Sequence, residues 1–281
     1  MTRKARRLRF YKKGLFIKSK KHSLINKNSK ILTIGSCFAL ELRKWLTNNG
    51  YNAFEQDKYE LIWYNTYTIL YEFARVTNKW KQRNNDIWKL PDGRWQDPYR
   101  RCVFSDTKTK LLSEIRRLDD IFGEALKNSD VIIITLGLTE VFVKSDGNVI
   151  CGAPGYRGGG GHDCSFLASN YVQNYENIKK VVEYLAEVNP TCNLVLTVSP
   201  VPFYSTFRGL DHLIANTASK SILRAVADEI TKNYNNVYYF HSYEMAICLN
   251  KQIVYRQDGR HIKVSYVEKI MSEFERLFIE K

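Results

Sequence analysis

Acidic residues are missing from the first thirty positions of this 281-residue chain. Arg3, Lys4, Arg6, Arg7, Arg9, Lys12, Lys13, Lys18, Lys20, Lys21, Lys27 and Lys30 therefore account for twelve of its fourteen net positive charges. The remainder is nearly neutral, so the basicity belongs to an arm, residues 1–29, and not to a nucleic-acid-binding face. No stable nucleic-acid partner is expected; the arm is free to touch an anionic surface or simply to be solvated. Long apolar runs are also missing. No stretch approaches the ~20 residues that cross a bilayer, which argues against an integral membrane protein. Leu15-Phe16-Ile17, flanked by lysines, is too short for the apolar core of a signal peptide. The expected location is cytoplasmic or peripheral to a membrane.

The six cysteines (Cys37, Cys102, Cys151, Cys164, Cys192, Cys248) lack CxxC spacing and read as free thiols, mostly buried. Cys151 and Cys164 with His162 between them match no zinc pattern, so no metal and no cofactor are expected. The glycine-rich segment 152–161 has neither the lysine-serine pair nor the strand-to-helix setting of a phosphate loop. It reads as the rim of a cleft. No composition break suggests a linker, which leaves a single domain over residues 30–281.

Strand-like and helical patterns alternate along that domain. Ile31–Ile34, Tyr51–Phe54, Val131–Ile134, Leu194–Val198 and Val237–Phe240 read as strands, the third and fourth apolar enough to be buried on both faces. Helical periodicity separates them. A hairpin is expected to turn at Ser145-Asp146-Gly147-Asn148. The fold class is α/β, with a five-stranded parallel sheet covered on both faces. Sites in such sheets lie beyond the carboxyl ends of the strands.

At the first of those ends the sequence reads Ile34-Gly35-Ser36-Cys37-Phe38. Gly35 permits a sharp turn, and Ser36 stands at the start of the next helix, among N–H groups that have no helical partner. A helix cap is the commoner reason for a serine there. A nucleophile would use the same N–H groups to stabilise an oxyanion. Cys37 is a rival, because a helix N-terminus lowers a thiol pKa; one helical step turns the side chain by about 100°, and Ser36 is favoured. Near the other end of the chain, Asp258 and His261 share one turn. An imidazole base and the carboxylate that fixes its tautomer are what a serine nucleophile requires. Tyr99, Arg100 and Arg101 either bind a substrate anion or sugar or form a solvated loop.

Gly35-Ser36-Cys37-Phe38-Ala39 resembles the signature of the GSCFA family, a branch of the SGNH (GDSL-type) hydrolases. Tyr64-Asn65, Trp95 to Arg101, Thr135 to Val141, Val198 to Pro202, Ala215-Asn216 with Ser219-Lys220-Ser221, and Asp258 with His261 extend the likeness from about residue 30 to the end. The resemblance implies a three-layer α/β/α flavodoxin-like SGNH-hydrolase fold with strand order 2-1-3-4-5. It also implies Ser36 as nucleophile, His261 as base and Asp258 as its orienting partner. Ser36, Asn65 and Thr139 would then line the oxyanion hole, Thr139 standing where the superfamily carries asparagine. The implied activity is esterase or O-acyltransferase chemistry on O-acyl groups, acetyl esters of glycans or glycolipids among them. The altered block around Thr139 leaves a second expectation: an SGNH-fold module, catalytically impaired, that binds a glycan or partner.

Overall fold

The computed structural model describes residues 19–54, 59–155, 159–161, 163–248 and 250–280. Four parallel strands form its central sheet: β1 (Ile31–Gly35), β5 (Val131–Leu136), β8 (Asn193–Val198) and β9 (Val237–Phe240), in the order β1-β5-β8-β9. Between β1 and β5 lie the helices α1 (Cys37–Asn48), α2 (Thr66–Val76) and α3 (Lys108–Asn128), and a small antiparallel sheet of β2 (Trp88–Lys89), β3 (Trp95–Gln96) and β4 (Phe104–Ser105). The antiparallel pair β6 (Glu140–Val143) and β7 (Ser165–Ala168) follows β5. Helix α4 (Tyr171–Val188) then leads to β8, and α5 (His212–Asn233) leads to β9. The chain closes with α6 (Ser242–Ile247), α7 (Lys251–Val254) and α8 (Val264–Phe278). None of the described helices is long and apolar enough to cross a membrane.

The sheet corrects the expectation of five strands. Tyr51–Phe54 makes one parallel bridge, Ala53 to Ile31, on the edge of β1 away from β5. Tyr51 N–H donates to Leu46 O and Ala53 N–H to Tyr51 O, so the segment bonds β1 only through Ile31 N–H to Asn52 O and Phe54 N–H to Ile31 O. The expected hairpin at 145–148 does turn, with Lys144 N–H donating to Asn148 O. It carries only the Val143–Val149 bridge, because β6 takes β7 as its main partner.

Alternation along the strands builds two cores. Ile31, Ile133 and Val195 face Phe38 and Leu42 of α1 and Ile270 and Phe274 of α8. Leu32, Ile132, Ile134 and Leu196 face Phe122 of α3, Ile178 of α4 and Leu223 of α5. Each such side chain contributes about 1.5–3 kcal/mol on burial, and together they fix the three layers. Leu24 and Ile25, in the stretch assigned to the arm, also belong here. Leu24 N–H and Ile25 N–H both donate to Phe278 O, and Ile25 is fully buried. Two apolar residues thus dock a segment whose charge alone suggested solvation.

Candidate active site

Gly35 ends β1 with φ +129°, and a Cβ there would collide with the carbonyl of Thr135 on β5. Only glycine lets the first strand approach its neighbour while turning toward α1. Ser36 follows as the N-cap, in extended conformation, its Oγ accepting from Phe38 N–H at 3.4 Å. Its own N–H donates to Thr135 O at 3.1 Å. Because Ser36 precedes the helix, the 100° helical step does not separate it from Cys37, and both border one cavity. Burial pushes the Cys37 thiol up, which weakens it as a nucleophile.

The cavity, about 140 Å³, opens beyond the carboxyl ends of β1, β5 and β8. Ser36, Cys37, Gly137 and Leu138 border it on one side, and Phe142, Val201, Phe203 and Phe207 supply apolar wall. Three cationic residues, Arg101, Lys220 and Arg260, also reach it. Gly137 is required by packing, since a Cβ there would meet the Tyr64 carbonyl. Glu140 braces the rim: its carboxylate accepts from Thr206 Oγ1 at 2.7 Å and from Phe207 N–H at 2.9 Å. Gly152 and Ala153 border the cavity too, so the first part of the glycine-rich segment does line a cleft; residues 156–158 and His162 lie outside the described residues.

Lys220, part of a block that carries the family resemblance, has no chemical role assigned to it by the sequence. It is 2% exposed, its Nζ donates to Gly137 O at 2.7 Å, and burial pulls its ammonium down to about 7. The available signal was its place on α5, three residues before buried Leu223 and seven before buried Ala227. A charge on the apolar stripe of a helix is unusual enough to mark a site.

Residues 30–274 match the GSCFA family. This chain belongs to the GSCFA family. Among solved structures, a Clostridium thermocellum family 3 carbohydrate esterase is similar at 12% identity and a TM-score of 0.37, over 89% of this chain and 95% of that one. The salicylyl-acyltransferase SsfX3 from a tetracycline biosynthetic pathway is similar at 11% identity and a TM-score of 0.38, over 90% and 54%. No curated protein matches.

In this GSCFA chain the loop after α7 brings Asp258 and His261 together. His261 Nδ1 lies 2.5 Å from Asp258 Oδ2, and Asp258 Oδ1 accepts from the His261 N–H at 3.0 Å. The hydrogen bond from His261 holds the Asp258 carboxyl well below the usual range. On the other edge of the ring, Nε2 lies 3.1 Å from Arg260 Nη1. A guanidinium only donates, so Nε2 is the accepting nitrogen and Nδ1 carries the proton. That is the tautomer a general base requires. His261 is half exposed and does not border the cavity; Arg260 does. Among the described residues Ser36 Oγ and His261 make no hydrogen bond with each other.

Asn65 is committed elsewhere, and Thr139 does not border the cavity, although its Oγ1 has no hydrogen-bond partner among the described residues. Asn65 caps α2, its Oδ1 accepting from Thr68 N–H and its Nδ2 donating to Ile150 O. Thr139 N–H donates to Ser219 Oγ, and Thr139 is fully buried away from the cavity lining. Tyr99 and Arg100 are a correction: they are core residues, not a substrate surface. Arg100 is 1% exposed and pairs with the Glu72 carboxylate and with Asp119 Oδ1 at 2.7 Å. A guanidinium this far from water is held by its counter-charges. Lys144 Nζ donates to the Tyr99 hydroxyl at 3.2 Å. Of the three, only Arg101 reaches the cavity.

Proposed function

We propose that this GSCFA protein is an SGNH-type serine esterase or O-acyltransferase working through an acyl-Ser36 intermediate, with O-acyl esters such as acetylated glycans as substrate. One observation carries the reading. Ser36 borders a cavity at the head of α1, and Arg260, which borders the same cavity, is bonded to the accepting nitrogen of an Asp258-oriented histidine.

In this mechanism Ser36 Oγ attacks the ester carbonyl and gives its proton to His261 Nε2, while Asp258 stabilises the imidazolium through Nδ1–H. Arg260 must yield its contact with Nε2 for that transfer. The oxyanion that forms needs donors, and the Ser36 N–H is already spent on Thr135. The Cys37 N–H, left without a helical partner in the first turn of α1, takes that role, assisted by the helix dipole. The imidazolium then protonates the departing alkoxide. Water or an acceptor hydroxyl attacks the acyl-serine by the reverse route, releasing acid or a new ester.

A second reading rests on Lys220, which is inside the cavity where His261 is not. A buried lysine whose proton leaves near pH 7 is suited to accept the Ser36 proton directly. Labelling with a fluorophosphonate and turnover of p-nitrophenyl acetate and acetylated sugars separate the readings. Ser36→Ala abolishes both signals in either case. His261→Ala should lower turnover by a factor on the order of 10⁴ if the triad is correct; if Lys220→Met does so and His261→Ala does not, the base is Lys220. Labelling that survives Ser36→Ala but is lost in Cys37→Ala would overturn both.

A further inference from the structure

Among the described residues, most of the exposed large apolar side chains stand on segments that follow the carboxyl ends of strands. Tyr204, Phe207 and Leu210 follow β8, and Leu213 and Ile214 form the first turn of α5. Phe166 on β7 and Tyr171 and Val172 at the start of α4 follow β5. Ile247 and Ile253 follow β9, and Val264 opens α8. The stretches from Tyr204 to Ile214 and from Ile247 to Val264, which follow the carboxyl ends of β8 and β9, lie toward the end where the cavity opens; Tyr171 instead stacks on Tyr175, whose hydroxyl accepts from Asn233 at the end of α5. The opposite end carries polar groups, such as Asn128 at the end of α3 and Asn235 before β9.

The described part of the basic arm runs from the last turn of α8, where Leu24 N–H and Ile25 N–H donate to Phe278 O, to the end of β9. Ser19, the first described residue, has its Oγ 3.4 Å from Nδ1 of His241, the residue directly after β9. The eighteen residues before it carry Arg3, Lys4, Arg6, Arg7, Arg9, Lys12, Lys13 and Lys18 and no acid. Arg208, Arg256, Arg260 and Lys263 stand among the apolar side chains, Arg208 paired with Glu140, and Asp211 and Asp258 offset part of their charge.

We infer that this end of the molecule docks on an anionic lipid surface. Its exposed apolar side chains enter the headgroup region, and the basic segment supplies attraction to the lipid phosphates. Soluble proteins seldom concentrate their exposed apolar side chains on one face without a partner. Apolar anchors beside clustered lysine and arginine suit an interface that is oily beneath and anionic above. A second copy of the chain would bring a like-charged arm against this one, which disfavours pairing through the face. The cavity beside Ser36 would then open toward lipid. The inference stands on side-chain placement and charge, independently of the ester chemistry.

Sedimentation of the full chain with vesicles tests it. Binding to phosphatidylcholine vesicles containing phosphatidylglycerol should exceed binding to pure phosphatidylcholine by about tenfold or more, and should fall with added salt. The double variant Leu213→Ser/Ile214→Ser changes two exposed side chains, so its melting temperature should hold while its partitioning drops roughly fivefold or more. Tryptophan placed by Leu213→Trp should be quenched by bromine-labelled lipid, and tryptophan placed by Asn235→Trp at the opposite end should not. Unchanged partitioning of the double variant would overturn the inference, leaving attraction by the arm alone. So would absence of quenching at position 213. A wild-type dimer that dissociates in the double variant would make a second copy the occupant instead. None of these readouts depends on ester turnover, so their failure leaves the assignment of Ser36 standing.

Discussion

Arg260 is tied at both ends. Its Nη1 lies 3.1 Å from Nε2 of His261, and its Nε donates to the Pro202 carbonyl at 3.1 Å. One planar guanidinium thus links the loop that carries Asp258 and His261 to the loop after β8 that walls the cavity. Lysine has no such fork and cannot hold both partners in one geometry.

Arg260→Lys is therefore expected to lower kcat by about 10²-fold through misplacement of His261, with little change in melting temperature because Arg260 is not a core residue. Steady-state ester hydrolysis alongside a thermal melt checks this. Unchanged kcat would mean that Arg260 only fills the space beside the ring.

The protonation of Lys220 ties stability to pH. In the native protein burial pulls it down to about 7, against an ordinary value of 10.5. Between those two values the unfolded chain binds more protons than the native one, so native stability rises with pH across the window. Lys220→Met removes the titration. Urea denaturation of both proteins should show the wild type gaining stability from about pH 7 upward relative to the variant. Parallel pH profiles of the two would place the Lys220 ammonium in water.

The buried pair of Glu72 and Arg100 governs acid stability. Burial pushes the Glu72 carboxyl up, but Arg100 and Arg75 outweigh it and hold the group at about 2. Its contribution to stability is complete above the ordinary carboxylate value of 4.5 and is lost as pH falls toward about 2. Arg100→Ala leaves a buried carboxylate facing Trp63 Nε1 and Arg75 and should cost about 3–5 kcal/mol at neutral pH by urea denaturation. A cost below about 1 kcal/mol would show that the site hydrates when the guanidinium is removed.

The sequence by itself determined the alternation of strands and helices, because side-chain periodicity is a local property and survives without neighbours. It marked Gly35-Ser36 as a strand-to-helix turn and paired Asp258 with His261 across three residues. Each of these needs only a few consecutive positions. The tertiary structure decided what depends on distant partners. Tyr51–Phe54 has strand-like residues, yet a single bridge joins it to β1 and the sheet stops at four strands. Arg100 reads as a surface cation until Glu72, twenty-eight residues earlier, meets it in the core. Lys220 is one charge in a helical stretch until that stripe is buried and its ammonium donates a hydrogen bond to Gly137 O. Leu24 and Ile25 read as part of a basic arm until α8 arrives beside them. Charge and polarity are fixed by residue type, but whether a charged group faces water or a counter-charge is set by what the fold carries to it, and no local pattern encodes that.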